Sequence, residues 1–323
     1  MKVIFCSFVI FLLGLQGLFR IFSPWSESMD YRVYRFKLET LLPDVDSQTN
    51  VVLGDSTSMN AIRPNSLPGH WVNLSIPCVT PGESYLLMKR LLDQGRVPRK
   101  VLISFSWEVL YGKEVCFQES TVTFGLFSAR ELGLVMLNHE YESYVPARKI
   151  LGILPMTPWF EILLSRAFLH PDQIQALRNH WSGVGLPTDY RDRDVDPNEK
   201  GQVFCGDRKE FPFEEDPGFP PGEFDVSPFV SFGIDRLLSL LSAAGVEAHW
   251  VHPPQYQSYA RLLNGKTLQR ESEYFSTLER IYPGFHFHSD LLTLATDDFS
   301  DRIHVNAAGM HKYTAWLGAK GFL

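Results

Sequence analysis

The chain has 323 residues, of which 45% are hydrophobic and 21% charged. These are globular proportions, so whole-chain disorder and fibrous architectures are excluded. Lys+Arg 30 against Asp+Glu 37 leaves a net charge of −7. A general nucleic-acid binder needs excess cation to displace phosphate counterions, so that class is excluded too. The length suits two units of about 150 residues, or one α/β domain with insertions. Aromatic residues at 13% suit a packed core and an amphipathic surface near a membrane. The four cysteines, Cys6, Cys78, Cys116 and Cys205, form no C-x-x-C pair. Outside the first apolar run only three remain, too few for a disulfide framework, although one bridge is possible in an exported domain.

Residues 3–19 carry no charge. As a helix they would span roughly 26 Å, a little short of a hydrocarbon core, with Arg20 able to snorkel and Trp25 placed as an interfacial aromatic. No small-x-small cleavage site follows between Gly14 and Pro24. The expectation is an uncleaved signal anchor over 1–25, a single span with the bulk of the chain extracytoplasmic. Residues 26–50 then form a juxtamembrane connector. Within it, 31–42 read as a short amphipathic helix whose basic residues could reach anionic headgroups.

The rest divides into alternating elements. A short apolar strand at 51–56 ends in a Gly-Asp-Ser turn. Asn73 and Leu74 are a candidate second strand. Pro81 opens a helix to about Gln94, stopped by Gly95. A buried strand covers 100–107. Helices are expected at 129–137 and 158–168. Residues 183–228 are acidic and rich in Pro and Gly, which reads as a solvated surface loop, or else as a flap over the site or a docking surface for a partner. A helix at 228–244, a strand at 246–251, a mostly helical stretch at 255–281 interrupted at Gly265, and a short strand at 285–287 follow. Asn306 caps a final helix. Strand and helix in alternation predict a parallel sheet.

Two segments carry chemistry. Ser56 follows a strand on a tight turn into a helix, where α/β folds expose a nucleophile above the carboxyl edge of the sheet. Its own amide would sit at a helix amino terminus, suited to an oxyanion. Asp301 and His304 form an Asp-x-x-His pair before the last helix. A serine hydroxyl needs an imidazole to take its proton and a carboxylate to orient that imidazole. Asp297 and Asp298 lie close enough to substitute for Asp301. Asp55 reads as structural, bonding amides in the turn, and Gly309 as allowing close helix packing. His249 with His252, and His286 with His288, lack a third ligand at zinc spacing, so neither a metal nor a cofactor is expected. His252, Trp107 and Glu108 sit at strand ends and could line a cleft, with packing the better reading for Trp107.

Gly54-Asp55-Ser56 in the early block and Asp301-x-x-His304 in the late block resemble the SGNH, or GDSL-type, hydrolase superfamily. The resemblance covers most of the chain from Val51. It implies a flavodoxin-like three-layer α/β/α fold over 51–323, with an irregular insertion around 111–227. It also implies a catalytic triad of nucleophile Ser56, general base His304 and orienting acid Asp301. The family's second-block glycine is not obvious here, although Asn73 matches the start of that block. Ser75, Cys78 or Gly82 could hold the glycine's place. The third-block asparagine is absent, and Ser104, Ser106 or Trp107 occupies its region. With the anchor, these departures resemble the membrane-anchored proteins of alginate acetylation and of teichoic acid D-alanyl transfer. That likeness implies an acyl donor, a polysaccharide or other hydroxyl acceptor, and a membrane-bound O-acyltransferase partner. A non-catalytic scaffold for an envelope glycan or acyltransferase, and a secreted esterase, are the alternatives.

Overall fold

The computed structural model describes residues 29–77, 79–111, 197–203, 224–263 and 265–321, together with Gly14, Phe127, Glu131 and Leu323. The chain divides into two units, Met1–Tyr34 with Val115–Asp192, and Arg35–Glu114 with Arg193–Leu323. The second unit therefore takes in Arg35 to Asn50, read from the sequence as connector.

Five parallel strands form the sheet of that second unit: β1 (Thr49–Gly54), β2 (His70–Asn73), β3 (Lys100–Ser104), β4 (Glu247–Trp250) and β6 (Phe285–Phe287). Their order across the sheet is β2-β1-β3-β4-β6. All six residues of β1 are buried, as a strand covered on both faces requires. In register, Val52 of β1 lies between Asn73 of β2 and Leu102 of β3. A separate two-stranded parallel sheet joins β5 (Gln255–Tyr256) to β7 (Thr293–Leu294).

Helices flank the sheet. In chain order the helices among the described residues are α1 (Met29–Phe36), which begins in the first unit, and α2 (Ser56–Ala61), α3 (Pro81–Asp93), α4 (Trp107–Leu110), α5 (Pro228–Ala243), α6 (Gln257–Leu262), α7 (Gly265–Ile281) and α8 (Ala307–Gly318) in the second. A full capping box starts α3: Thr80 accepts from the first-turn amides while Glu83 reaches back to the Thr80 amide. The chain packs α3 against α5 and α8 against α2. Trp250 of β4, Phe275 of α7 and Phe287 of β6 stack between sheet and helix, with Phe275 and Phe287 centroids 4.5 Å apart.

Several expectations change. The α-helix expected over 31–42 ends at Phe36, then widens into a π-helical turn, Lys37–Leu41, and tightens into a 3-10 turn, Leu42–Asp44. Its basic residues do not act alike: Arg35 pairs with Glu39 at the surface, whereas Lys37 is fully buried and cannot reach a headgroup. The strand expected over 100–107 stops at Ser104. The stretch 255–281 starts as strand, because Pro253 and Pro254 hold the preceding backbone extended. Among the described residues of the insertion read as a solvated loop, 197–203 form a docked piece. Gly201, Gln202 and Val203 are buried, the Lys200 carbonyl accepts from the Asn73 amide, and Glu199 grips Arg63 with both oxygens.

The expected anchor over 1–25 and the helices at 129–137 and 158–168 lie outside the described residues, apart from Gly14 and Glu131. So do Cys6, Cys78, Cys116 and Cys205. Among the described residues, no helix is long and apolar enough to cross a membrane.

Candidate active site

β1 delivers Ser56 to the carboxyl edge of the sheet. Asp55 makes the turn: its Oδ1 accepts from the Thr57 amide at 2.9 Å, capping α2, and its Oδ2 accepts from the Ser106 amide at 2.9 Å. The turn is close-packed against β3. A Cβ on Gly54 would collide with the Ser104 carbonyl, which also accepts from Ser58 Oγ at 2.6 Å. Ser56 is then the first residue of α2, where its N–H has no intrahelical acceptor.

The late loop brings its own base. Asp301 Oδ1 accepts from the amides of Ile303 and His304 at 2.9 and 2.8 Å, which folds the loop back on itself. Asp301 Oδ2 lies 2.7 Å from His304 Nδ1, and His304 Nε2 lies 2.9 Å from Ser56 Oγ. An ionised carboxylate only accepts, so Nδ1 carries the hydrogen and the Nε2 lone pair faces the serine hydroxyl. Burial pushes the Asp301 carboxyl up. The hydrogen bond and charge of His304, with the two amides, outweigh that and hold it below the ordinary carboxylate range. The neighbouring acids do other work. Asp298 pairs with Lys312 at 2.7 Å, and the Asp297 carbonyl accepts from Asn306 Nδ2. Asn306 Oδ1 caps α8 through Ala308 and Gly309.

The structure thus brings Ser56, His304 and Asp301 into one hydrogen-bonded line. It does not do the same for the expected oxyanion donors. The Ser75 amide donates to Asn73 Oδ1 at 3.0 Å, and the Ser106 amide to Asp55. Gly82 is committed to helix packing: its amide donates to Thr80 Oγ1, and a Cβ on Gly233 of α5 would lie 2.6 Å from that nitrogen. Cys78 lies outside the described residues. Trp107 opens α4, which has no side-chain cap; the Val109 and Leu110 amides donate to the Ser106 carbonyl at 3.1 and 3.3 Å.

A pocket opens beside the line, with Thr57, Ser106, Trp107, Tyr259, Arg302 and Ile303 in its wall. Trp107 is both wall and core. Its ring stacks on Tyr259 with centroids 6.1 Å apart, and its Nε1 donates to Glu271 Oε1 at 2.7 Å. Burial pushes Glu271 up to about 8, against the pull of the Trp107 N–H. His252, read as a possible cleft residue, is buried behind Trp107, and burial holds it down to about 4. Burial thus disfavours the charged form of both groups, whose side chains approach to 3.7 Å. Arg302 pairs with Glu108 at 3.1 Å across the pocket wall. The sequence reading missed Glu271 and the Arg302–Glu108 pair. Only Arg302, a charge inside the Asp-x-x-His step, offered a signal.

The histidines at the sheet edge turn to one another. His249 Nδ1 is 3.0 Å from His288 Nε2, and His249 stacks on His286. Among the described residues, no group of three or more His, Cys, Asp or Glu side chains is arranged to hold a metal. Compared with known proteins, the chain matches no family model and no curated protein.

Proposed function

We propose that this chain is an SGNH-type serine acyltransferase or acylesterase, anchored in a membrane and working outside the cytoplasm. In this reading it O-acylates, with acetyl as the leading group, a cell-envelope polysaccharide beside a membrane-bound O-acyltransferase. The observation that carries it is the line from Ser56 Oγ to His304 Nε2 at 2.9 Å and from His304 Nδ1 to Asp301 at 2.7 Å. The strand order is a second support. Counted within the main sheet it is 2-1-3-4-5, the flavodoxin-like order, with Ser56 and Ser106 at the carboxyl ends of β1 and β3 on either side of the switch point.

The chemistry follows from the geometry. Ser56 Oγ attacks the acyl carbonyl while His304 Nε2 takes the hydroxyl proton, and Asp301 stabilises the imidazolium. The tetrahedral oxyanion collapses, and the leaving group departs with the proton from His304. The acyl group is now an ester of Ser56. His304 then deprotonates the acceptor hydroxyl, whose oxygen attacks the ester, and Ser56 regains its proton. A sugar hydroxyl as acceptor makes the protein a transferase; water makes it an esterase.

One observation favours a second reading, a non-catalytic scaffold that keeps the fold to recognise a glycan or an acyltransferase. The amides of Ser75, Gly82 and Ser106 are all committed elsewhere. The experiment that separates the two is the intact mass of the full chain after exposure to an activated acetyl ester. An acetyl adduct on the wild type that is lost in Ser56→Ala and His304→Ala supports the acyl-enzyme. An adduct that survives Ser56→Ala, or none on the wild type with no turnover, moves the conclusion to the scaffold. Persistence of the adduct in water separates transferase from esterase.

A further inference from the structure

We infer that Lys37 is a positioning residue for the nucleophile, tying the segment that leads in from the amino-terminal side of the chain to the helix that carries Ser56. The inference rests on Ser56 being the nucleophile.

Lys37 opens the π-helical turn Lys37–Leu41 and is 0% exposed. Turns of this kind are uncommon and gather at functional sites. The amine donates to the carbonyl of Ser75. Burial pushes Lys37 well below its ordinary value. Placing an amine here is costly, and a methionine of similar length would avoid the cost. The question is what the amine holds.

Ser75 is the junction of two ties that meet around Ser56. Its amide donates to Asn73 Oδ1, and Asn73 Nδ2 donates to the carbonyls of Ser58 and Ile62, both at 3.1 Å. Those carbonyls lie in α2 and at its carboxyl-terminal cap, and Ser56 is the first residue of that helix. One residue beyond Ser75, the Ile76 amide donates to the Gly54 carbonyl at 3.0 Å, at the end of the strand that presents Ser56. The segment from Asn73 to Ile76 therefore grips the nucleophile turn from both sides, and Lys37 pins the middle of that segment. Asn73 and Ser75 are fully buried, so water cannot replace any of these bonds.

A lysine kept for stability and one kept for positioning behave differently when removed. Lys37→Met keeps the volume and deletes the buried amine. For positioning, the melting temperature stays level or rises. The rate of Ser56 acetylation by an activated acetyl ester falls about ten- to hundred-fold with KM unchanged, the size of effect a small misplacement produces. Amide hydrogen exchange rises at residues 56–62. Lys37→Gln, which retains a donor, recovers part of the rate. An unchanged acetylation rate overturns the inference, as does a fall in rate that tracks a fall in melting temperature without raised exchange at 56–62. If the wild type is never acetylated, the acyl-transfer reading fails by itself. Hydrogen exchange then decides the tie alone: raised exchange at 56–62 in Lys37→Met upholds it, and unchanged exchange overturns it.

Discussion

The loop that carries His304 is built from its own neighbours, whereas the helix that carries Ser56 depends on residues far along the chain. Around His304, one carboxylate does three jobs: Asp301 accepts from the amides of Ile303 and His304 and orients the imidazole. Ser300 bonds the His304 carbonyl, and Asn306 closes the loop onto Asp297 while capping α8. Each of these bonds joins residues fewer than ten apart in sequence. Around Ser56 the holds are Ser104, Asn73, Ser106 and the docked piece at 197–203, where the Val203 amide reaches the Met59 carbonyl and Gln202 Nε2 the Asn60 carbonyl. A six-residue helix has too few internal hydrogen bonds to hold its own axis. The base can therefore be preorganised locally, but the nucleophile cannot.

That contrast can be broken at several points, in descending order of effect. Ser56→Ala or His304→Ala should lower acyl-transfer turnover by about 10⁴-fold or more, since members of such a unit fail together; steady-state kinetics on an activated ester checks it. Asp301→Asn should cost about 10³- to 10⁴-fold in kcat, with little loss of melting temperature, because the amide oxygen can still accept from Ile303 and His304. A comparable drop in melting temperature would mean that the loop depends on the charge.

On the other side, Asn73→Ala removes a side chain that satisfies carbonyls and an amide in the core. It should destabilise the fold by on the order of 3 kcal/mol, measured by chemical denaturation. Asn306→Ala should cost about 1 kcal/mol, the usual loss for a helix cap. If the order of these two were reversed, the local loop rather than the long-range ties would be the critical support.

The last test is a pH dependence. Glu271 is raised in the fold to about 8, above the ordinary carboxyl value. A raised folded value means that its contribution to stability is fully present below the ordinary value and is lost as pH rises through about 8. Glu271→Gln keeps an acceptor for Trp107 and removes the titration. Its melting temperature relative to wild type should therefore climb between pH 5 and pH 9. A flat difference would show that Glu271 is already ionised and that a charge holds Trp107.

How much was legible beforehand follows the same division. Val51 to Gly54 announced a short apolar strand by composition, while Asp55 announced a turn and Asn306 a cap, because each of those two acts on amides a few residues away. Asp301 and His304 are three residues apart, and their spacing alone brings them together. Lys37 read as a surface cation because helical periodicity counts faces and cannot see the π-helical turn, or the core that closes over it. The stretch 197–203 read as solvated because composition is blind to one docked piece inside an acidic run. Glu271 was invisible, since its partner Trp107 is 164 residues away.

By itself, then, the sequence determined the parallel strand–helix alternation, the Gly-Asp-Ser turn and the Asp-x-x-His loop. These rest on short-range hydrogen bonding and on the burial of apolar runs. Only the tertiary structure decided that His304 meets Ser56 across 248 residues, that Asp298 serves Lys312 rather than the imidazole, and which amides near the site are already taken. Each backbone N–H and each carboxylate can satisfy only a limited set of partners. The fold assigns those partners, and no spacing in the chain records the assignment.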